Sequence, residues 1–172
     1  MVPPLPAEPP VDLRIEQVAI DHPDALLLIE DVQQEYVVRY GGRDHTPMDP
    51  AEFVPPEGAF YVGYRDDVPV MSGAWRFRDD VSCLGTTRPA EVKRMYVTPA
   101  ARRSGLARLM LAHLEATART AGAEVMIMET GTAQPEAMAL YEAAGYQRVE
   151  PFGHYRNAPE NRCYGRVLGE TT

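Results

Sequence analysis

Arg102-Arg103-Ser104-Gly105-Leu106-Ala107 is the pivot of this chain, because the residues before it read as a strand and those after it as an amphipathic helix. A loop that turns straight into a helix leaves the first N–H groups of that helix without partners. Together with the positive end of the helix dipole, these groups attract anionic oxygen. Gly105 and Ala107 let the main chain approach such an anion. Arg102 and Arg103 add charge-assisted hydrogen bonds suited to a pyrophosphate or a ribose phosphate. Arg102, Arg103 and Arg108 are unfavourable to the start of the helix itself, as expected where an anionic ligand compensates them.

Working back from this loop, Glu91 to Val97 is a β-prone fourth strand, followed by Pro99. Strict alternation cannot bury Val92, Met95 and Val97 together. An extra residue near Lys93-Arg94 would bring them into phase, so a β-bulge is predicted there. Further upstream, Val11 to Val18 alternates as a half-buried strand, and Asp24 to about Tyr40 has helical spacing and ends at Gly41-Gly42. Arg43 to Gly58, with its prolines, is expected as loop or short helix. Ala59–Tyr64 and Val68–Phe77 flank Arg65-Asp66-Asp67 as a hairpin, and a loop follows from Arg78 to Arg88.

Downstream, Leu106, Leu109, Met110 and Leu114 form the expected buried stripe of a helix ending near Ala121-Gly122. Val125 to Met128 is an unbroken apolar run, the pattern of a strand buried on both faces. Pro135 opens a short helix that Gly145 closes. Tyr146–Val149 and Arg162–Leu168 complete an antiparallel pair around the loop Pro151 to Asn161.

The 172 residues carry a net charge of −8, with 45% hydrophobic and 24% charged side chains. This suits one domain over residues 11–168, preceded by an extended tail over residues 1–10. Acidity argues against nucleic acid as a partner, since phosphate backbones are bound by clustered positive charge. It favours an amine-bearing small partner, or serves solubility alone. Cys83 and Cys163 show no disulfide or zinc spacing, and His22, His45, His113 and His154 are scattered, so no metal is expected. The N-terminus lacks the pattern of a signal peptide and no apolar run is long enough to span a membrane, so a cytoplasmic protein without membrane contact is expected.

Three pieces in this order resemble the GNAT N-acetyltransferase superfamily, over about Val11 to Leu168. Arg102 to Ala107 is similar to that family's (Q/R)xxGx(G/A) loop. Met95-Tyr96-Val97 stands at the end of the family's fourth strand. Ala139-Leu140-Tyr141-Glu142-Ala143-Ala144-Gly145-Tyr146 looks like its second signature. The resemblance implies an α/β fold of the α+β kind: a mixed, largely antiparallel sheet of about six to seven strands, helices on both faces, and fourth and fifth strands splayed apart. It further implies acetyl-CoA held by Arg102, Arg103, Ser104, Gly105, Leu106 and Ala107 at its pyrophosphate, and by Met95, Tyr96 and Val97 along its pantetheine arm. Relatives often carry asparagine where this chain has Gln134, which reaches the cofactor or only caps the short helix. Relatives also commonly pair, and a homodimer is open for this chain.

By the same resemblance Tyr141 contacts the cofactor and acts as the acid that protonates the departing thiolate, a task suited to a phenol of pKa about 10. Glu91, at the start of the fourth strand, is the expected base, with Glu129 as its competitor or as the group that orients the substrate ammonium. Backbone N–H groups around Val97 suit an oxyanion. Cys83 has no adjacent histidine, so direct attack is preferred to an acyl-enzyme. Glu35, Asp49 and Glu52 would favour a polyamine, an aminoglycoside or a lysine side chain, and Arg156 or Arg162 the carboxylate of an amino acid. The implied activity is acetyl transfer to a primary amine of a small molecule or peptide. The competing reading is a non-catalytic acyl-CoA-binding module of the same fold.

Overall fold

The computed structural model describes residues 12–169; the expected tail and Val11 lie outside them. In chain order the elements are β1 (Leu13–Val18), α1 (Pro23–Tyr40), a 3-10 turn (Pro50–Phe53), β2 (Gly58–Arg65), β3 (Val68–Phe77) and β4 (Ala90–Val97). A second 3-10 turn (Pro99–Ala101) leads to α2 (Leu106–Thr120), then β5 (Val125–Gly131), α3 (Pro135–Ala143), β6 (Gln147–Arg148) and β7 (Asn161–Val167). They build a seven-stranded sheet in the order β1-β2-β3-β4-β5-β7-β6. Every neighbouring pair is antiparallel except β4 and β5, which run parallel. This is the mixed sheet that the sequence implied.

Helices cover both faces. Leu28 and Val32 of α1 pack with Phe60, Val62 and Tyr96 on one side. Met110, Leu111 and Leu114 of α2 pack with Val92, Met126 and Met128 on the other. Alternation along each strand supplies both cores, so β4 and β5 are apolar on nearly every position of the α2 face. The hairpin between β2 and β3 turns on Asp66 and Asp67, at φ +50° and +64°, a conformation that aspartate tolerates better than most residues.

The bulge is where the sequence placed it. Ser72 faces Tyr96 and Ala74 faces Lys93, so Arg94 and Met95 together oppose the single residue Gly73, and Arg94 takes φ +54°. Val92, Met95 and Val97 consequently all join the α2-side core. A Cβ on Gly73 would lie 2.8 Å from Met110 Cγ and 3.0 Å from Leu114 Cδ1, so a bare backbone lets α2 seat over the bulge. Between β4 and β5 only Ala90↔Met126 and Glu91↔Ile127 pair. Past those rungs the strands diverge, while β5 stays fully paired to β7 on its other edge.

One element of the expected helix stripe needs correction. Leu109 is 43% exposed, and Leu111, at 1%, takes its place. The buried residues Leu106, Met110, Leu111, Leu114 and Ala118 span one arc, and at 100° per residue Leu109 lies roughly 130° from its centre. Leu111→Ala should therefore lower unfolding free energy by ~2–5 kcal/mol in denaturant titration, and Leu109→Ala by less than ~1 kcal/mol. Equal losses would contradict this facing of α2.

Candidate active site

A cavity of about 860 Å³ fills the wedge between β4 and β5. Met95, Tyr96, Val97, Arg102, Arg103, Gly105, Leu106, Ala107, Gln134 and Tyr141 line it, as the sequence implied; Ser104 does not. Ser104 instead bonds its hydroxyl to the carbonyl of Ala101. The start of α2 is left open by this arrangement. Gly105 occupies the N-cap at φ +79° with no side-chain cap, and a Cβ placed there would meet nothing within 4 Å. By contrast α1 is capped by His22 Nδ1, which accepts from the N–H of Asp24. The N–H groups at the head of α2 thus have no intrahelical acceptor, on residues that line the cavity.

Arg102 departs from its expected role. Its Nε donates to the carbonyl of Val97 at 3.0 Å, and its Nη2 pairs with Glu35. Glu35 lines the cavity but is spent on this pair, so it is not free for an acceptor cation. Arg103 and Arg108 also line the cavity, and among the described residues neither has an ion-pair partner. Since the N–H of Thr98 donates to Val70 of β3 at 2.9 Å, alternation turns the N–H groups of Val97 and Met95 the other way, into the wedge.

Tyr141 sits deep in the cleft, with ring centroids 6.0 Å from both Tyr146 and Tyr164. Burial, reinforced by nearby Tyr36, pushes its hydroxyl well above the usual phenol value. Gln134 makes no capping bond. Its Oε1 accepts from the hydroxyls of Tyr40 at 3.1 Å and Thr130 at 3.3 Å, which decides against the cap alternative.

The two glutamates part company. Glu91 is fully buried on the last paired rung, where Oε1 accepts from Arg76 Nε and Arg78 Nη1, each at 3.0 Å, and it does not line the cavity. Its ion-pair partners are Arg76 and Arg78, so the carboxylate expected as the base is turned away from the cavity. Glu129 stands two residues beyond that rung on β5, where the strands have separated, and it lines the cavity. Burial pushes its carboxyl up to about 7, against the pull of Lys93 and with the help of Glu91 and Asp44. Asn161 Nδ2 lies 3.5 Å from it.

Four other expectations are not met. Asp49 caps the 3-10 turn and Glu52 pairs with Arg76. Arg156 and Arg162 donate to carbonyls of their own loop. None of the four lines the cavity. Lys93, Arg94, Asp44 and Tyr36 also line it, though none of them was singled out in the sequence as a site residue. The irregularity at Lys93-Arg94 was the available signal, and it was read only as a matter of register.

A sheet opened between parallel central strands, with helices on both faces, defines the GNAT class of fold. The chain belongs to the acetyltransferase (GNAT) family, whose model matches residues 28–146. It is 33% identical over 132 residues to the IAA acetyltransferase of Azospirillum brasilense, covering 77% of this chain and 82% of that protein. It is 32% identical over 108 residues to the uncharacterized N-acetyltransferase YsnE of Bacillus subtilis (strain 168), covering 62% of this chain and 67% of that one. Among solved structures, a provisionally assigned acyl-CoA N-acyltransferase of Klebsiella pneumoniae superposes with TM-score 0.72 at 26% identity, over 91% of this chain and 98% of that one. An acetyltransferase of Clostridium acetobutylicum solved with acetyl-CoA shares the fold, with TM-score 0.63 at 15% identity over 83% and 95%.

The raised carboxyl of Glu129 carries a stability signature. Because its folded value of about 7 exceeds the ordinary 4.5, ionising it costs the folded state more than the unfolded one. That cost is absent below 4.5 and complete above about 7. Glu129→Gln removes it, so the stability of the variant relative to the parent should rise by ~1–3 kcal/mol between about pH 5 and about pH 8 in chemical denaturation. A difference independent of pH would contradict the buried, ionisable setting of Glu129.

Proposed function

We propose that the protein transfers the acetyl group of acetyl-CoA to a primary amine of a small molecule or peptide, by direct attack with both substrates bound. The observation that carries this reading is the convergence on one cavity of two unpaired backbone rows, the head of α2 and the far edge of β4, with Tyr141 and Glu129 beside them. The residues fit the group. The N–H groups at the head of α2, with Arg103 and Arg108, suit a diphosphate. The N–H groups of Met95 and Val97 suit the amides of the pantetheine arm. The amide of Gln134 lies on the opposite wall.

When bound there, acetyl-CoA supplies a thioester whose C–S bond breaks as the amine forms its N–C bond, the sulfur leaving with the electron pair. Glu129 prepares the nucleophile: a carboxylate with a pKa of about 7 accepts the ammonium proton near neutrality and frees the nitrogen lone pair. The cleft N–H of Val97 or Met95 offers a donor where negative charge grows on the carbonyl oxygen. Tyr141 holds its proton at neutral pH and offers it to the sulfur, and the second proton that the nitrogen sheds on becoming an amide restores the phenol. Burial that makes the phenol a weaker acid also makes a neighbouring thiolate a stronger base, which keeps the transfer matched. The cytoplasm is the setting we assign, in keeping with the free thiols Cys83 and Cys163.

Two substitutions separate binding from chemistry. Tyr141→Phe should lower kcat by ~10²-fold in an acetyl-CoA thiol-release assay over an amine panel, with coenzyme A affinity unchanged. Gly105→Glu should abolish retention on coenzyme A resin by placing a carboxylate in the cradle, with the circular dichroism spectrum unchanged. Full retention of Gly105→Glu, or full turnover by Tyr141→Phe, would overturn the corresponding half of the mechanism.

A further inference from the structure

Lys93 and Arg94 are consecutive residues of a strand, yet both reach the same carboxylate. Regular alternation would send them to opposite faces; the bulge, with Arg94 at φ +54°, turns both to the α1 side of the sheet. They are 7% and 8% exposed, and both line the cavity. Buried cations are ordinarily each matched by an anion and by hydrogen bonds. Here one oxygen serves two of them: Arg94 Nη1 donates to Asp44 Oδ2 at 2.5 Å, and Lys93 Nζ stands 3.8 Å from that same atom. The other oxygen, Oδ1, is taken by the N–H of Thr46 at 2.8 Å and its hydroxyl at 2.6 Å.

Donors are therefore left over. Among the described residues Arg94 Nε is buried with no hydrogen-bond partner, and the one ion-pair contact of Lys93 Nζ is the 3.8 Å approach to Asp44. An unpaired donor on a buried charge is costly unless something else accepts from it. Glu91, on the neighbouring rung, does not line the cavity; its Oε1 is taken by Arg76 and Arg78, and its Oε2 is buried without a hydrogen-bond partner among the described residues. The other acid lining this end of the cavity is Glu129, and extending the parallel register from Glu91↔Ile127 places it level with Lys93 on the same face.

We infer that the acceptor is an amino carboxylate, an α- or β-amino acid, whose carboxylate lies against Lys93 and Arg94 while its amine faces Glu129; this deepens the acetyl-transfer reading and rests on it. Charge supports the assignment. Lys93 and Arg94 balance Asp44 and an ionised Glu129, and once Glu129 takes the proton of the amine the cluster holds one excess positive charge. The acceptor carboxylate neutralises that excess at the moment the nitrogen attacks. A polyamine or an aminoglycoside would instead press a second cation against two buried ones.

The test measures binding and turnover separately. Each common α-amino acid, β-alanine and their carboxamides are presented to the protein, and saturation-transfer NMR reads binding while mass spectrometry reads acetylated product with acetyl-CoA. At least one free amino acid should bind, and its carboxamide should bind ~10-fold or more weakly, since one charge-assisted contact is lost. Lys93→Met should reduce that preference to within ~3-fold while leaving the circular dichroism unchanged; should it fail to fold, Arg94→Lys, which keeps the charge beside Asp44 and removes the fork, replaces it. Binding of no amino acid, or equal binding of acids and carboxamides, overturns the inference. Selective binding without acetylated product leaves the carboxylate site standing and counts against acetyl transfer. Acetylation of amines regardless of a carboxylate does the reverse.

Discussion

Only two rungs join β4 to β5, and everything distinctive in this molecule follows from the parting of the strands beyond them. Backbone N–H and C=O groups that lose a strand partner inside a protein need another. On one count the protein supplies it. Arg102 Nε donates to the carbonyl of Val97, in the place of an N–H from β5, and Glu35 on α1 steadies that guanidinium. The arginine expected as a phosphate ligand thus ties the edge of β4 to α1 while it lines the cavity. Among the described residues the N–H groups on the same edge have no such side-chain substitute.

Much of this was legible in the sequence because it is local. The bulge declared itself in the spacing of Val92, Met95 and Val97, and the helix bounds in Pro135, Gly41 and Gly145. The glycine of the cradle was equally plain, since a left-handed residue before a helix is a demand that Gly105 meets at little cost. What failed depended on distant partners. Arg102 meets Glu35 across 67 positions, and no spacing rule links them. Which of Glu91 and Glu129 faces the cavity depends on where a parallel pairing stops, and that is settled by how far β4 is levered away rather than by either strand's own residues.

The same contrast governs charge. A net charge of −8 pointed toward a cationic acceptor, but net charge describes the surface, where most acids are solvated or paired. Inside the wedge the balance is reversed, with Lys93 and Arg94 buried against the single oxygen of Asp44. Charges withdrawn from water, as on Lys93 and Arg94, act more strongly on their surroundings than exposed carboxylates do, because screening is weak there. The strained backbone of Arg94 makes structural sense on the same ground: it is the device that brings both cations to one face.

Amide hydrogen exchange along β4 tests the opening of the sheet most directly. In the protein without coenzyme A, the N–H groups of Met95 and Val97 should exchange much faster than those of Tyr96 and Thr98, which face β3, and adding coenzyme A should slow them ~10-fold or more. Slow exchange at Met95 and Val97 in the free protein, equal to that of Tyr96 and Thr98, would mean that β4 is already paired on both edges and would contradict the wedge.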